Sequence, residues 1–280
     1  MTYKEMADQL TGIKITPEFL KTRPLSYSSL KAFKRSPLHY LHYLTSTKEK
    51  TPALIFGGVV DVLILTPDQF ELKYVVAPEI KRTTKEGKIQ WDELVKLAGG
   101  KEIISQEMFQ SACNIRDAVM ENKKSREIID QVGTVQRKIN WDSDDLPHVM
   151  FSDMDSTEGN FICDLKSAAS AEPEEFQRSA FNFGYHIQAA LYLEAFRKKM
   201  FRFPRFIFMV VEKEPPYSVA VFDKISESFF KLGMQEIDTL RTQFKYCMEN
   251  DLFMKSYDIN TVDGGLILDL PGYARQKIQD

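Results

Sequence analysis

Cysteine is scarce in this chain, long apolar runs are missing, and positive charge is not in excess. The three cysteines, Cys113, Cys163 and Cys247, are odd in number, far apart and without a CxxC pair. That argues against a disulfide framework, a zinc finger or a four-thiolate cluster. No apolar run approaches the roughly 18 residues a membrane span needs, and the opening MTYKEMADQL lacks the apolar stretch of a secretory signal. A soluble protein of a reducing compartment, the bacterial cytoplasm, is expected. With 37 basic and 40 acidic residues the net charge is −3, so no global field draws this protein to nucleic acid and any such contact must be local. Internal repeats and low-complexity segments are also missing.

What is present is enough for one large core. At 280 residues and 43% hydrophobic, the chain can bury a single domain with at most a small appendage. Its most informative segment is Val149 to Ser167, VMFSDMDSTEGNFICDLKS, which reads as two strands joined by the polar, glycine-containing turn Ser156 to Asn160. Side chains alternate along a strand, so Asp164 and Lys166 share a face while Cys163 and Leu165 point the other way. With Asp155 on the first strand, two carboxylates and an ammonium converge. Paired acidic oxygens suit a hard cation such as Mg²⁺, and a neighbouring lysine can hold an attacking water or offset charge on a phosphate. The plainer alternative is a surface hairpin with solvated charges.

About twenty residues on, GYHIQAALYLEAFRK at Gly184 to Lys198 has helical periodicity, and Tyr185, Gln188 and Tyr192 fall on one stripe. D-x8-D-L-K followed by Q-x3-Y resembles the PD-(D/E)XK nuclease superfamily in its RecB-like branch. Further blocks narrow the likeness to RecE-type exonucleases (exonuclease VIII): YSSLKAFKRSPLHY at Tyr27 to Tyr40, FGGVVDVLILTPDQF at Phe56 to Phe70, VAPEIKRTTKEGKIQW at Val76 to Trp91, and VVEKEPPY at Val210 to Tyr217. The resemblance implies an α/β fold, a restriction-endonuclease-like core with a central mixed β-sheet flanked by α-helices. It implies an N-terminal extension at 1–25, a nuclease domain at 26–250 and a C-terminal segment at 251–280.

By the same resemblance, Asp155, Asp164, Lys166, Gln188 and Tyr192 are the catalytic set. Asp61, Asp155, Asp164 and the Leu165 carbonyl would hold Mg²⁺, with Mn²⁺ as a substitute. The activity implied is digestion of duplex DNA from its ends, 5′ to 3′, leaving 3′ single-stranded tails for a RecT-like annealing protein in a bacterial or phage-infected cell. A ring-shaped homo-oligomer, a tetramer, is implied as well. The iron–sulfur branch of RecB-like nucleases is disfavoured by the cysteine count.

The sequence departs from this pattern in places. Gly57-x3-Asp61 stands where a metal-binding histidine is usual, although a carboxylate oxygen is a harder ligand than an imidazole. Lys-Gly-Arg-x-Asp is replaced by Phe151, Ser152, Asp153, Met154 and Asp155, which removes two basic groups and adds an acid. Gln136 replaces a glutamate. These changes leave two alternatives open: an endonuclease or repair nuclease of other polarity, and a catalytically weakened DNA-binding or regulatory homologue.

Local DNA contacts are expected at Lys31, Lys34 and Arg35, and at Lys81, Arg82, Lys85 and Lys88, with a solvated surface the alternative for each run. Ser26 or Ser28 should cap a helix running to Tyr40, interrupted at Ser36-Pro37. His39 and His42 have helical spacing but no third ligand. Phe56 to Leu65 passes for a strand by propensity, whereas the resemblance favours a helix presenting Asp61. Val76 to Trp91 reads as a mobile loop near DNA. Ser105 to Asp130 reads as helix with Met108, Ala112, Ile115 and Val119 inward. Val135 to Trp141 opens the sheet, Arg205 to Glu212 and Tyr217 to Phe222 form a second strand pair, and Ser228 to Asn250 is a long amphipathic helix. Gly265 to Leu270 has no assignment.

Overall fold

The computed structural model describes residues 16–46, 50–259, 265, 266 and 268. Most of the N-terminal extension, and half of Gly265 to Leu270, therefore lies outside the described residues. The chain divides into two compact units, Lys48–Ile237 and a smaller one built from the residues on either side of it.

In the smaller unit, α1 (Pro17–Thr22), α2 (Tyr27–Arg35) and α3 (Pro37–Thr45) follow one another. Ser26 and Ser29 form a reciprocal capping box at the start of α2. Ser36 closes α2 and opens α3, its hydroxyl accepting the His39 N–H, with Pro37 in the first turn where its missing donor costs nothing. The expected break thus occurs, and its cause is one residue serving two caps. His39 Nδ1 lies 2.6 Å from Ser36 Oγ, so this ring meets a hydroxyl. Phe33, Tyr40, Phe244 and Phe253 build the aromatic core here, mostly edge-on.

The larger unit holds a five-stranded sheet in the order β3 (Val132–Ser143), β4 (Leu146–Ser156), β5 (Phe161–Ala168), β6 (Arg205–Glu212), β7 (Val219–Phe222). All neighbours are antiparallel except β5 and β6, which run parallel. A parallel pair needs a long crossover, and α9 (Pro173–Phe183) and α10 (Tyr185–Ala195) supply it. A separate two-stranded parallel ladder joins β1 (Tyr74–Ala77) to β2 (Glu102–Ser105). Among the described residues no helix is long and apolar enough to cross a membrane.

On one face of the sheet, Met154, Cys163, Leu165, Ile207 and Met209 pack against Val59, Val60 and Leu63 of α4 (Pro52–Leu65) and against Ala112, Ile115 and Val119 of α7 (Gln106–Glu121). The β-branched run in α4 favours a strand by propensity. Thr51 caps it and Pro52 starts it, so the helix prevails and its apolar stripe is buried. Helix α7 ends at Asn122, which caps the short α8 (Lys123–Ile129), so the expected Ser105 to Asp130 helix is two.

The loop expected over Val76 to Trp91 is mostly not one. After the short helix α5 (Phe70–Lys73), strand β1 ends at Ala77, and Thr84 caps α6 (Lys85–Ala98). A polar composition concealed a helix whose first turn packs so closely that a Cβ on Gly87 would lie 2.1 Å from the Lys81 carbonyl oxygen. The final helix, α11 (Glu227–Glu249), covers the expected Ser228 to Asn250 span.

Candidate functional site

Strands β4 and β5 pair at only two positions, Met154 with Cys163 and Asp155 with Ile162. Beyond these the strands part, and the Leu165 N–H donates to Asp153 Oδ2 at 2.9 Å. Asp153, not Asp155, is therefore the β4 acid placed beside Asp164 and Lys166. Asp155 is 1% exposed and faces a different partner. Arg137 of β3 grips it through Nε at 2.9 Å and a terminal nitrogen at 2.9 Å, and the Ser152 hydroxyl donates to it at 3.2 Å.

Alternation alone could not separate the two acids, because residues two apart on a strand share a face. What separates them is their partners: Arg137 and Ser152 hold Asp155, whereas the Leu165 N–H holds Asp153 where β4 leaves β5. Gln136 takes a φ of +51°, but the register is unchanged across it, Val135 opposite Met154 and Arg137 opposite Ser152, and the shift in this ladder lies between Val132 and Thr134.

Three further elements complete the cluster. Helix α4 brings Asp61 close enough that Asp164 and Lys166 both act on its ionisation. Helix α10, which starts after Gly184 in the left-handed region at φ +79°, carries Gln188. Its amide donates to Asp164 Oδ1 at 2.6 Å. Tyr192 lies one turn further on and is buried. Tyr185 has no role in the sequence pattern that singles out Gln188 and Tyr192. Its ring lies 4.8 Å from the Lys166 ammonium, a cation–π distance, and it stacks on Phe208. The signal for it was its place on the stripe with Gln188 and Tyr192.

The electrostatics follow from burying several charges together. Burial pushes the Asp61 carboxyl up to about 6, helped by the negative Asp164. Burial, then Asp164, holds Asp153 well above the usual carboxylate range. Burial works against the Lys166 charge, but Asp164 and Asp153 outweigh it and keep the ammonium protonated above its usual range. The ammonium rests on Asp164 Oδ2 as an ion pair.

The donor set of Asp61, Asp153 and Asp164 is all oxygen, which suits a hard divalent cation. Gln188 Oε1 is buried beside them with no hydrogen-bond partner among the described residues, an orphan acceptor of the kind that a cation or its water satisfies. Among the described residues no three His, Cys, Asp or Glu side chains are already drawn into a cage, and Lys166 supplies the positive charge within the cluster.

Of the expected DNA-contacting groups, Lys31, Lys34 and Arg35 lie exposed on α2 in the smaller unit. Lys81, Arg82, Lys85 and Lys88 are exposed around the start of α6, where the Arg82 guanidinium stacks 3.4 Å from the Trp91 ring centre.

A comparison with curated proteins finds no match. Among solved structures, a protein from Eubacterium rectale described as a "putative exonuclease" aligns with a TM-score of 0.61 at 16% identity, covering 93% of this chain and 96% of its own. That likeness supports the fold. A second structure, SSO0001, reaches a TM-score of 0.27 at 12% identity over 84% and 94% of the two chains, too low to carry an argument. The sequence pattern of the PDDEXK-like domain of unknown function, DUF3799, matches residues 26–256, and the chain belongs to that family.

Proposed function

We propose that this protein is a metal-dependent deoxyribonuclease, and specifically an exonuclease that shortens duplex DNA from its ends, 5′ to 3′, leaving 3′ tails for a RecT-like annealing partner. The observation that carries the reading is the meeting of Asp153, Asp164 and Lys166 where β4 and β5 part, with Gln188 bonded to Asp164. Asp61, Asp153, Asp164 and the Leu165 carbonyl would hold Mg²⁺ or Mn²⁺. Such a cation, when bound, supplies Lewis-acid stabilisation to a phosphate oxygen.

The chain's own groups do the rest. Lys166 is held protonated, so it does not act as a general base; it orients the attacking water and offsets negative charge gathering on the phosphorus oxygens. Asp164 fixes that ammonium, and Gln188 fixes Asp164. In this reading Asp155 serves the scaffold through Arg137 rather than the reaction. The end preference, the polarity, the annealing partner and a tetrameric ring rest on the RecE-type resemblance of the sequence blocks.

The test is digestion of linear, nicked and closed circular DNA with Mg²⁺ or Mn²⁺, comparing wild type with Lys166→Ala and Asp153→Asn. Progressive shortening of linear duplex, sparing of closed circles and a loss of about a hundredfold or more in both variants are expected. Nicking of closed circles would establish an endonuclease instead. Metal and DNA binding without turnover by the wild type would establish a regulatory homologue.

A further inference from the structure

The segment from Arg197 to Arg205, RKKMFRFPR, takes no part in the cluster described above, yet it interleaves exposed aromatic and basic residues. Helix α10 gives way at Phe196–Met200 to a π-helical turn, a departure from α-geometry found often at functional sites. Phe201 then adopts the left-handed region, φ +53° and ψ +36°, which a residue with a Cβ adopts at a cost. The result is not a buried ring. Phe201 is 84% exposed and Phe203 is 85% exposed, so backbone strain is accepted to present two phenylalanines to solvent. Around them Arg197, Lys199 and Arg202 are exposed and form no ion pair among the described residues. Lys198 differs in being engaged by Ser143 and Glu194, and Arg205 by Asp223.

The fold ties this segment to the acidic cluster. Arg205 pairs with Phe161 at the start of β5, three residues before Asp164, or about 10 Å along the strand. Helix α10 carries Gln188 and Tyr192 and runs directly into the segment, and the Tyr192 ring lies 6.1 Å from that of Phe206, just beyond it. Exposed rings beside unpaired cations match a flexible polyanion whose bases are free to stack. A duplex hides its base faces, so the rings select an unpaired strand.

We propose that residues 197–205 form a docking platform for single-stranded DNA, with Phe201 and Phe203 stacking on bases and Arg197, Lys199 and Arg202 contacting phosphates. The identity of the ligand rests on the nuclease reading; the platform itself rests on the exposed rings and unpaired cations. In that setting it holds the strand that leaves, or has yet to enter, the catalytic cluster.

Binding is measured on the full chain in EDTA, so that no turnover is needed, by fluorescence anisotropy of a labelled oligothymidylate of about 15 nucleotides. The double variant Phe201→Ala, Phe203→Ala should bind it at least about tenfold more weakly, with an unchanged thermal melt. The triple variant Arg197→Gln, Lys199→Gln, Arg202→Gln should reduce the slope of log affinity against log salt by about 2. Phe203→Trp should show tryptophan emission quenched on adding the oligonucleotide. The proposal is overturned if the double alanine variant binds like wild type, if the Phe203→Trp emission is unmoved, or if the wild type ignores the oligonucleotide and binds phosphatidylserine vesicles through the same residues. Because the assay runs without cleavage, an inactive wild type that still binds through Phe201 and Phe203 sinks the nuclease reading alone. An active nuclease indifferent to both rings sinks the platform alone.

Discussion

Asp61 offers a test of the buried charge cluster that needs no substrate. In the folded chain its carboxyl rises from 3.8 to about 6, first through burial and then through the nearby Asp164. The folded state therefore binds more protons than the unfolded state between those two values, and its stability falls as pH rises through that window, then levels off. Moving one carboxyl that far corresponds to about 3 kcal/mol. Because Asp61 is partly exposed and its surroundings can relax, a contribution of about 1–3 kcal/mol is the working range. Asp61→Asn removes the ionisation while keeping the shape. In urea unfolding with EDTA, the variant should be more stable than wild type by that amount near pH 7.5 and nearly equal to it near pH 4. Adding Mg²⁺ should narrow the difference at pH 7.5, since a cation favours the charged cluster of the wild type. A difference that does not change with pH, or an Asn variant less stable at neutral pH, refutes the assigned environment.

Other perturbations probe separate parts of the same unit. Arg137→Ala strips the buried Asp155 of its cation and should cost about 3 kcal/mol in urea unfolding; a loss below about 1 kcal/mol would mean that water replaces the guanidinium. Gly233→Ala should destabilise by about 1–3 kcal/mol even though alanine is the better helix former, because its Cβ would lie 2.2 Å from the His186 carbonyl oxygen. A stabilised Gly233→Ala protein would show that α10 and α11 do not approach so closely. Tyr185→Leu keeps an apolar body under Lys166 but removes the ring's negative face, so cleavage should fall by about three- to tenfold with folding intact. Unchanged activity would make the ring a packing element only.

Much of this architecture is legible from local pattern. The turn residues Ser156 to Asn160, the alternation through Asp164 and Lys166 and the periodicity of Tyr185, Gln188 and Tyr192 locate a hairpin and a helix, because each depends on neighbours within a few residues. Ser36-Pro37 announces its own break for the same reason. What was not legible depends on partners distant in sequence. Asp153 and Asp155 have the same parity on one strand, and only partners far away in sequence set them apart, the Leu165 N–H for one and the Arg137 guanidinium for the other. Val76 to Trp91 reads as a loop because its polar residues and Gly87 resemble loop composition. The Thr84 cap and the tight packing of Gly87 against Lys81 make it the entry to a helix instead.

The parting of β4 from β5 also has a mechanical meaning. Eight residue pairs bind β5 to β6 and ten bind β4 to β3, but two bind β4 to β5. The sheet is thus two stiff leaves joined by a narrow neck at Met154–Asp155 and Ile162–Cys163, and Asp153 stands in the notch between them. A change of charge or volume in that notch can alter its width by bending the neck while the ladders on either side keep their bonds. Compliance is concentrated at the one place in the sheet where reacting groups would have to adjust by fractions of an ångström, and the rest of the core is spared the deformation.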